Sequence, residues 1–389
     1  MNNNTTYKDS PLGKIPSDWE VKSLGQIIKL SSGKTKPNEL TQISDKEYIY
    51  PVFGGNGIMG YSKEYNSEGQ VILIGRVGEN CGVTRFVLDK CWITDNALFT
   101  KEILLNIDID FLTYKLQHED ISKLRSKGGQ PLVSQTPIYI NRISLPTQVP
   151  EQNRIAEVLS AWDKAISNMQ STIVQVELRN KWLMQELLSG KRRLKGFGGE
   201  WKEYRLGEIT NNFSRRNKNL VDAKIYSVTN TNGFVLQSEH FEREIAGVDL
   251  TNYKIIKKNE FAYNPARINV GSIAYFEEEI GVISSLYVCF STKENVIDFY
   301  LMKFLELDHT KYRIESLGEG GVRVYLWYDL FAKIKIKLPS LEEQTAIAQV
   351  LQAAANEVQV LRSKLDKLKE QKKGLMQVLL TGKKRLKIV

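Results

Sequence analysis

The stretch LMQELLSGKRRLK, Leu183–Lys195, is written again as LMQVLLTGKKRLK at Leu375–Lys387. A shift of 192 residues (375 − 183) lays Glu151–Lys195 on Glu343–Lys387, with 19 of the 45 positions identical. Internal repeats settle architecture before any local reading, since each copy is one structural unit. Upstream, IPSDWEVKSLGQI (Ile15–Ile27) recurs as GGEWKEYRLGEI (Gly198–Ile209), so each copy opens on a tryptophan followed by Leu-Gly. These entries are Trp19 with Leu24-Gly25, and Trp201 with Leu206-Gly207. The order is domain, helix, domain, helix, with boundaries expected at 1–145, 146–190, 191–338 and 339–389.

Each duplicated stretch carries apolar residues at alternating steps of four and three. In the first they are Ile155, Leu159, Trp162, Ile166, Met169, Ile173, Val176, Leu183 and Leu187. In the second they are Ile347, Leu351, Ala354, Val358, Leu361, Leu365, Leu368, Leu375 and Leu379. Such an a/d seam over several heptads predicts a coiled coil. Asn180 and Lys372 interrupt the two seams at the same heptad position, as a tolerated polar residue or a register-setting one. Ser340 with Glu343 forms an S-x-x-E capping box, and Gly190 and Gly382 stand where helices end. The basic residues after those glycines complement a negative helix end, or contact phosphates. A short linker joins the first helix to the second domain, so the second helix must turn back to bury its seam. An antiparallel pair with pseudo-two-fold symmetry follows, and about 40 helical residues span on the order of 60 Å.

Between entry and helix, each copy mixes strand-like and helical runs, a mixed α/β domain. Strands are expected at Val71–Ile74, Gly82–Leu88, Tyr253–Ile256, Ser272–Phe276 and Val282–Phe290, and helices at Asp110–Leu124 and Asp298–Leu305. Residues 1–14 are polar, and order is expected to begin near Ile15. Arg76 aligns with Arg267, and Gly128-Gly129 with Gly320-Gly321, while the residues between such landmarks diverge.

The 389 residues carry 54 Lys and Arg against 45 Asp and Glu, a net charge of +9 that suits an anionic partner. Cys81, Cys91 and Cys289 are too few and too scattered for a disulfide framework or a zinc site, and suggest a reducing compartment. No run of eighteen apolar residues is present, and MNNNTTYKDS lacks the apolar core of a signal peptide, so a soluble cytoplasmic protein is expected.

Several motifs invite a catalytic reading and fail it. Gly55–Gly60 matches G-x-G-x-x-G, and Phe53–Gly57 matches F-x-G-x-G, but Pro51 breaks the run before them and no helix follows. Ser31–Thr35 ends like a phosphate loop but lacks its first glycine, with Ile28 in that place. Asn264-Pro265-Ala266-Arg267 lacks the aromatic that stacks on a flipped base. His118, His240 and His309 have no nucleophile or metal-ligand spacing beside them. No catalytic, cofactor or metal constellation emerges, and the chain is expected not to be an enzyme.

Two divergent domains, each followed by a nearly repeated helix, resemble the specificity subunit of type I restriction-modification systems. The phrases that carry the resemblance are the Trp…Leu-Gly entries, YPVFGGNG at Tyr50–Gly57, Arg76-Val77-Gly78 and Thr94–Leu98. With them go ISLP at Ile143–Pro146, IKLP at Ile336–Pro339, and the Glu-Gln pairs at 151–152 and 343–344. The second domain shows no good counterpart of YPVFGGNG. The resemblance implies two target recognition domains separated by the antiparallel coiled coil, reading double-stranded DNA. It implies two methyltransferase subunits docked on the helices, with restriction and translocase subunits joining them. S-adenosylmethionine, magnesium and ATP would sit on those partners and none on this chain.

Two related but unlike readers predict an asymmetric, bipartite site. DNA contacts are expected from polar, basic, glycine-rich loops. In the first domain these are Lys34, Thr35, Lys36, Asn56, Arg76, Asn80, Lys127 and Gln130. In the second they are Arg215, Arg216, Lys218, Asn230, Asn264, Arg267, Asn269 and Arg323. The residues alone leave two alternatives open: a two-domain coiled-coil adaptor without DNA recognition, and the specificity subunit of a related system in which one subunit both methylates and cleaves.

Overall fold

Residues 6–126, 130–240, 250–318 and 325–386 are described by the computed structural model, and the chain divides into two units. One comprises residues 1–171 with 363–389, the other residues 172–362.

The first unit begins with the hairpin β1 (Tyr7–Ser10) and β2 (Gly13–Pro16), whose ladder pairs Lys8 with Ile15. Order therefore starts before Ile15, because Tyr7 Oη donates to the Gly382 carbonyl (3.2 Å) and ties the hairpin to the helix end. There follow β3 (Trp19–Ser23), β4 (Ile28–Ser32), β5 (Tyr50–Gly54), β6 (Gly57–Ser62), β7 (Val71–Gly75), β8 (Thr84–Val87), β9 (Trp92–Ile93) and β10 (Ala97–Ile103). An antiparallel sheet runs in the order β4-β10-β7-β8, and a smaller mixed sheet in the order β6-β5-β9. Helix α1 (Ile109–Glu119) is capped by Asp108, whose carboxylate accepts from Phe111 N (2.7 Å). It stops short of Leu124 because Asp120 turns left-handed (φ 54°). Helix α2 (Gln135–Ile140) and β11 (Arg142–Pro146) close the domain, β11 pairing with β3. The long helix α3 (Val149–Leu188) then begins.

The second unit repeats this plan. Strand β12 (Lys202–Arg205), helix α4 (Leu206–Ile209), β13 (Thr210–Phe213), β14 (Ile225–Val228), β15 (Phe234–Leu236) and α5 (Gln237–His240) come first. Then follow β16 (Lys254–Lys257), β17 (Phe261–Tyr263), β18 (Ile273–Tyr275), β19 (Ile280–Ile283) and β20 (Val288–Thr292). The run Val282–Phe290, expected as one strand, is thus two, parted by a turn in which Tyr287 N donates to Ser284 O (3.3 Å). Helices α6 (Asp298–Leu305), α7 (Asp308–Leu317) and α8 (Tyr328–Phe331), β21 (Lys335–Leu338) and the long helix α9 (Leu341–Leu379) complete it. The sheet β13-β20-β17-β18 matches β4-β10-β7-β8, and β12 pairs with β21 as β3 does with β11.

Ladder positions correct two expectations. Gly75 N donates to Val83 O and Asn264 N to Ser272 O, so Asn264 stands where Gly75 does and Arg76 corresponds to Pro265, not Arg267. The hairpin β5–β6 also has a counterpart. β5 pairs in parallel with β9, and β14 in parallel with β19, so β14–β15 occupies the equivalent place. Its sequence, Tyr226-Ser-Val-Thr-Asn-Thr-Asn-Gly233, keeps only the tyrosine, the valine and the closing Asn-Gly of YPVFGGNG. Gly57 (φ 119°) and Gly233 (φ 59°) both need the positive φ that glycine allows. Pro51 lies within β5, so it does not interrupt that strand.

Within each unit, segments of the two long helices run antiparallel. In the first unit Lys372 Nζ pairs with Asp163 (2.6 Å), stands over the Tyr114 ring, and Tyr114 Oη donates to the same carboxylate (2.7 Å). In the second, Asn180 Nδ2 donates to the Ala354 carbonyl (2.8 Å), Arg362 pairs with Glu177 (2.6 Å), and Arg179 pairs with Glu357. Every seam residue named above is buried or half-buried, while most of their helical neighbours are exposed. Lys372 and Asn180, at equivalent positions, each tie their helix to the other.

The helix ends carry a duplicated ion pair. Arg193 grips Glu343 with two bonds of 2.6 Å, and Arg385 grips Glu151 with bonds of 2.5 and 2.6 Å. Both carboxylates are almost wholly buried, 3% and 2% exposed. These arginines are therefore neither helix caps nor free for phosphate. Glu343 spends its carboxylate on Arg193 and the Trp201 indole N–H (3.3 Å), so the expected capping box is only half made, by Ser340 Oγ accepting from Glu343 N (3.4 Å). Arg385 also bonds Asp18, whose carboxyl it holds below the usual aspartate range. The adjoining glutamines fasten helix to domain. Gln152 Oε1 accepts from Asp108 N (2.9 Å) and Nε2 donates to Pro146 O (2.8 Å); Gln344 repeats both with Ile297 N (3.0 Å) and Pro339 O (3.1 Å).

Candidate nucleic-acid interface

In the first unit, several loops converge where strands of the two sheets end. Lys34 N donates to Ile93 O (3.0 Å) and Asp95 N to Lys34 O (2.8 Å), which fixes the loop carrying Lys34, Thr35 and Lys36, all exposed. Arg76 N donates to Asn96 O (2.9 Å), Val133 N to Arg76 O (2.8 Å), and Gly78 N to Pro131 O (3.0 Å). Asn56 stands exposed at the tip of the β5–β6 hairpin. That tip rests on its neighbours so closely that a Cβ at Gly55 would lie 2.8 Å from Val77 O, and one at Gly75 2.6 Å from Gly55 O. The structure thus brings Lys34, Asn56, Arg76, Asn80 and Gln130 onto adjoining loops. Arg76 is half-buried and donates to Ser32 Oγ (3.1 Å), which gives it a scaffold role as well. Lys127 lies outside the described residues.

One arginine was not legible as a candidate. Arg85, in the middle of β8, points its guanidinium at the hairpin tip, donating to Gly55 O (3.3 Å) and Asn56 O (3.0 Å). Among the described residues no carboxylate pairs with it, and burial draws it below the usual arginine range. It shapes the turn that displays Asn56. In the second unit the ladder-equivalent residue is Ala274, whose Cβ would lie 3.2 Å from a Cβ added at Gly233. The same scaffold position therefore carries a cation in one domain and a methyl group in the other.

In the second unit, Asn264 Oδ1 accepts from Ala266 N (3.0 Å) and shapes its own turn; Arg267 is exposed and Asn269 half-buried. Asn230 lines a pocket of about 480 Å³ with Thr229, Thr231, Ile268 and Gly271. Arg215 is committed elsewhere: its fork meets Glu260 with bonds of 3.0 and 2.9 Å, and it lies over the Phe213 ring. Its guanidinium is engaged in holding the fold. Arg216 donates to Asn252 O (2.5 Å) and stays exposed, as does Lys218. Arg323 lies outside the described residues.

Among the described residues no group of His, Cys, Asp and Glu could hold a metal ion. Burial pushes the Cys91 and Cys289 thiols up to about 11, away from the thiolate a nucleophile needs. The G-x-G-x-x-G stretch runs from a hairpin turn into strand β6, so no helix N-terminus is offered to a phosphate. No described helix is long and apolar enough to cross a membrane. What the loops offer is a set of exposed amides, guanidinium and ammonium groups on a rigid frame, the chemistry that contacts phosphates and base edges.

Comparison with known proteins agrees with that reading. Residues 16–178 and 198–370 each match the family described as the type I restriction modification DNA specificity domain. The type I restriction enzyme MjaVIII specificity subunit of Methanocaldococcus jannaschii is 25% identical over 96% of this chain and 95% of its own. Among solved structures, the S subunit of a type I restriction-modification system from M. genitalium superposes with a TM-score of 0.58 at 18% identity, covering 97% of both chains. A structure titled for complex assembly and conformational transition of the type I R-M system gives 0.59 at 15% identity, over 95% of this chain and 99% of that one.

Proposed function

The chain belongs to the type I restriction-modification DNA specificity family, and from that premise we propose that it reads an asymmetric, bipartite site in double-stranded DNA. It is the non-catalytic recognition component. In the proposed function it directs partner methyltransferase subunits, acting on adenine N6, and restriction subunits to that site. Two methyltransferase subunits dock on α3 and α9, and S-adenosylmethionine, magnesium and ATP sit on the partners. The assembly works in the cytoplasm.

The observation that carries this reading is the pairing of one scaffold with two different sets of side chains at its equivalent positions. The matching ladders fix equivalent backbone positions, yet where the first unit has Arg85 the second has Ala274, and where the first has Arg76 the second has Pro265. Identical readers facing each other would select a palindrome; unlike readers select two different half-sites. Unlike the adaptor reading, DNA recognition also accounts for the net charge of +9.

The test is the methylome of a host expressing this chain with its neighbouring methyltransferase. A split, asymmetric methyladenine motif is expected, lost when this gene is deleted. If the motif persists after deletion, the chain is an adaptor.

A further inference from the structure

Trp327 and Tyr325 form a displayed aromatic pair in the second unit. Their rings lie 9° from parallel with centroids 6.2 Å apart, and Trp327 is 50% exposed. The pair does not sit on a loose loop. Leu326 between them is 1% exposed and its N–H donates to Pro265 O (2.9 Å). Next comes α8, anchored by the wholly buried Phe331 and by Tyr328, which shares a hydrogen bond with the Thr210 hydroxyl (2.8 Å).

The first unit builds the same base. Val133 is wholly buried, its N–H donates to Arg76 O (2.8 Å), and the short helix α2 follows. There the flanking residues are Leu132, half-buried, and Ser134, exposed. Backbone and anchor are shared, while the outward side chains are exchanged: Leu and Ser in one domain, Tyr and Trp in the other. Two readers on one scaffold must differ at positions of this kind. Arg267, two residues beyond Pro265, is exposed and, among the described residues, forms no ion pair with a carboxylate.

Resting on the DNA-reading function above, we propose that Trp327, backed by Tyr325, is a sequence-determining contact that takes the methyl group of a thymine. The chemistry leaves little choice of base. In the major groove the base edges present hydrogen-bond donors and acceptors, and thymine alone adds an apolar group, its C5 methyl. A rigid indole face gains from covering that methyl and loses by desolvating a polar edge.

The experiment uses the full chain with its methyltransferase. The methylated motif is mapped for the wild type, and duplexes carrying it are then made with each thymine of each half-site replaced by uracil, which removes only the methyl. Binding should weaken about three- to tenfold at one thymine of one half-site, the gain from burying a single methyl being of that order. Trp327→Ala should be indifferent to the same replacement and should admit other bases at that position alone. Trp327→Phe, which keeps an apolar ring, should retain part of the sensitivity. Wild-type binding unchanged by uracil at every thymine, or a Trp327→Ala motif identical to the wild type, overturns the proposal while leaving the bipartite reader intact. A wild type that yields no split motif sinks the DNA reading itself, and this inference with it. Should Trp327→Ala fail to fold, Trp327→Phe decides: a uracil sensitivity equal to the wild type's overturns the proposal.

Discussion

At the scale of single residues, the duplicated arginines do more than the basic tail of LMQELLSGKRRLK promised. Each neutralises a glutamate that opens the opposite long helix and is buried to within a few per cent. Removing Arg385 leaves the Glu151 carboxylate, 2% exposed, without its partner, which costs about 3–5 kcal/mol. Arg385→Ala should lower stability by that order in urea unfolding, Arg193→Ala should lower it too, and adding Glu151→Gln or Glu343→Gln should recover part of each loss. Equal stability of the single and double variants would show the carboxylates are solvated after all. The two helix-ending glycines make a finer test. Both are left-handed, Gly190 at φ 72° and Gly382 at φ 71°, which costs any other residue about 1–2 kcal/mol. A Cβ on Gly382 would further lie 2.5 Å from Pro16, whereas one on Gly190 meets the Trp201 ring at 3.3 Å. Gly382→Ala should therefore melt lower than Gly190→Ala. The φ requirement was legible, since both glycines end an apolar period. The ion pairs were not, because their partners lie 150 and 234 residues apart in the chain.

At the scale of elements, the seam was legible and its polar interruptions were only half so. A four-three spacing survives in sequence because every seam side chain must face a partner helix. Asn180 and Lys372 share a heptad position, but only the structure shows that one meets a carbonyl and the other a carboxylate. The mid-helix pairs are also not copied between repeats: a shift of 192 residues puts Ala355 at the place of Asp163, and Lys369 at that of Glu177. These pairs therefore hold α3 to α9 and would not hold either helix to its own copy; in an α9–α9 pairing Lys369 would face Arg362. Lys372 is 15% exposed, so its pair should couple more strongly than Arg362–Glu177, whose groups are 60% and 39% exposed. Lys372→Asp alone should destabilise, and Lys372→Asp with Asp163→Lys should recover most of the loss. The same reversal at Arg362 and Glu177 should couple by less than about 1 kcal/mol. A double-mutant cycle with no coupling at Lys372 would reduce it to a tolerated polar residue. The hairpin β14–β15 escaped the sequence for a different reason. It needs only an inward Tyr and Val and a glycine at the turn, and it sits 176 residues from its counterpart (226 − 50), out of step with the helices.

At the scale of the whole molecule, α3 and α9 are each unbroken through residues of both units, 40 and 39 residues long. In the proposed function their length fixes how many base pairs lie unread between the half-sites. A helix rises about 1.5 Å per residue and turns about 100°, so four added residues lengthen it by ~6 Å and leave it only about 40° past a full turn. DNA advances ~3.4 Å per base pair along each strand, so the same displacement corresponds to one to two base pairs. Four residues inserted at equivalent points of both helices, away from the paired residues Asp163, Glu177, Arg362 and Lys372, keep those contacts available. The methylated motif of that variant should keep both half-sites and widen the gap by one to two base pairs. Insertion into one helix alone should instead put its seam out of register with the other and lower stability. A motif whose gap stays unchanged in the doubly extended variant would mean that something other than helix length sets the spacing.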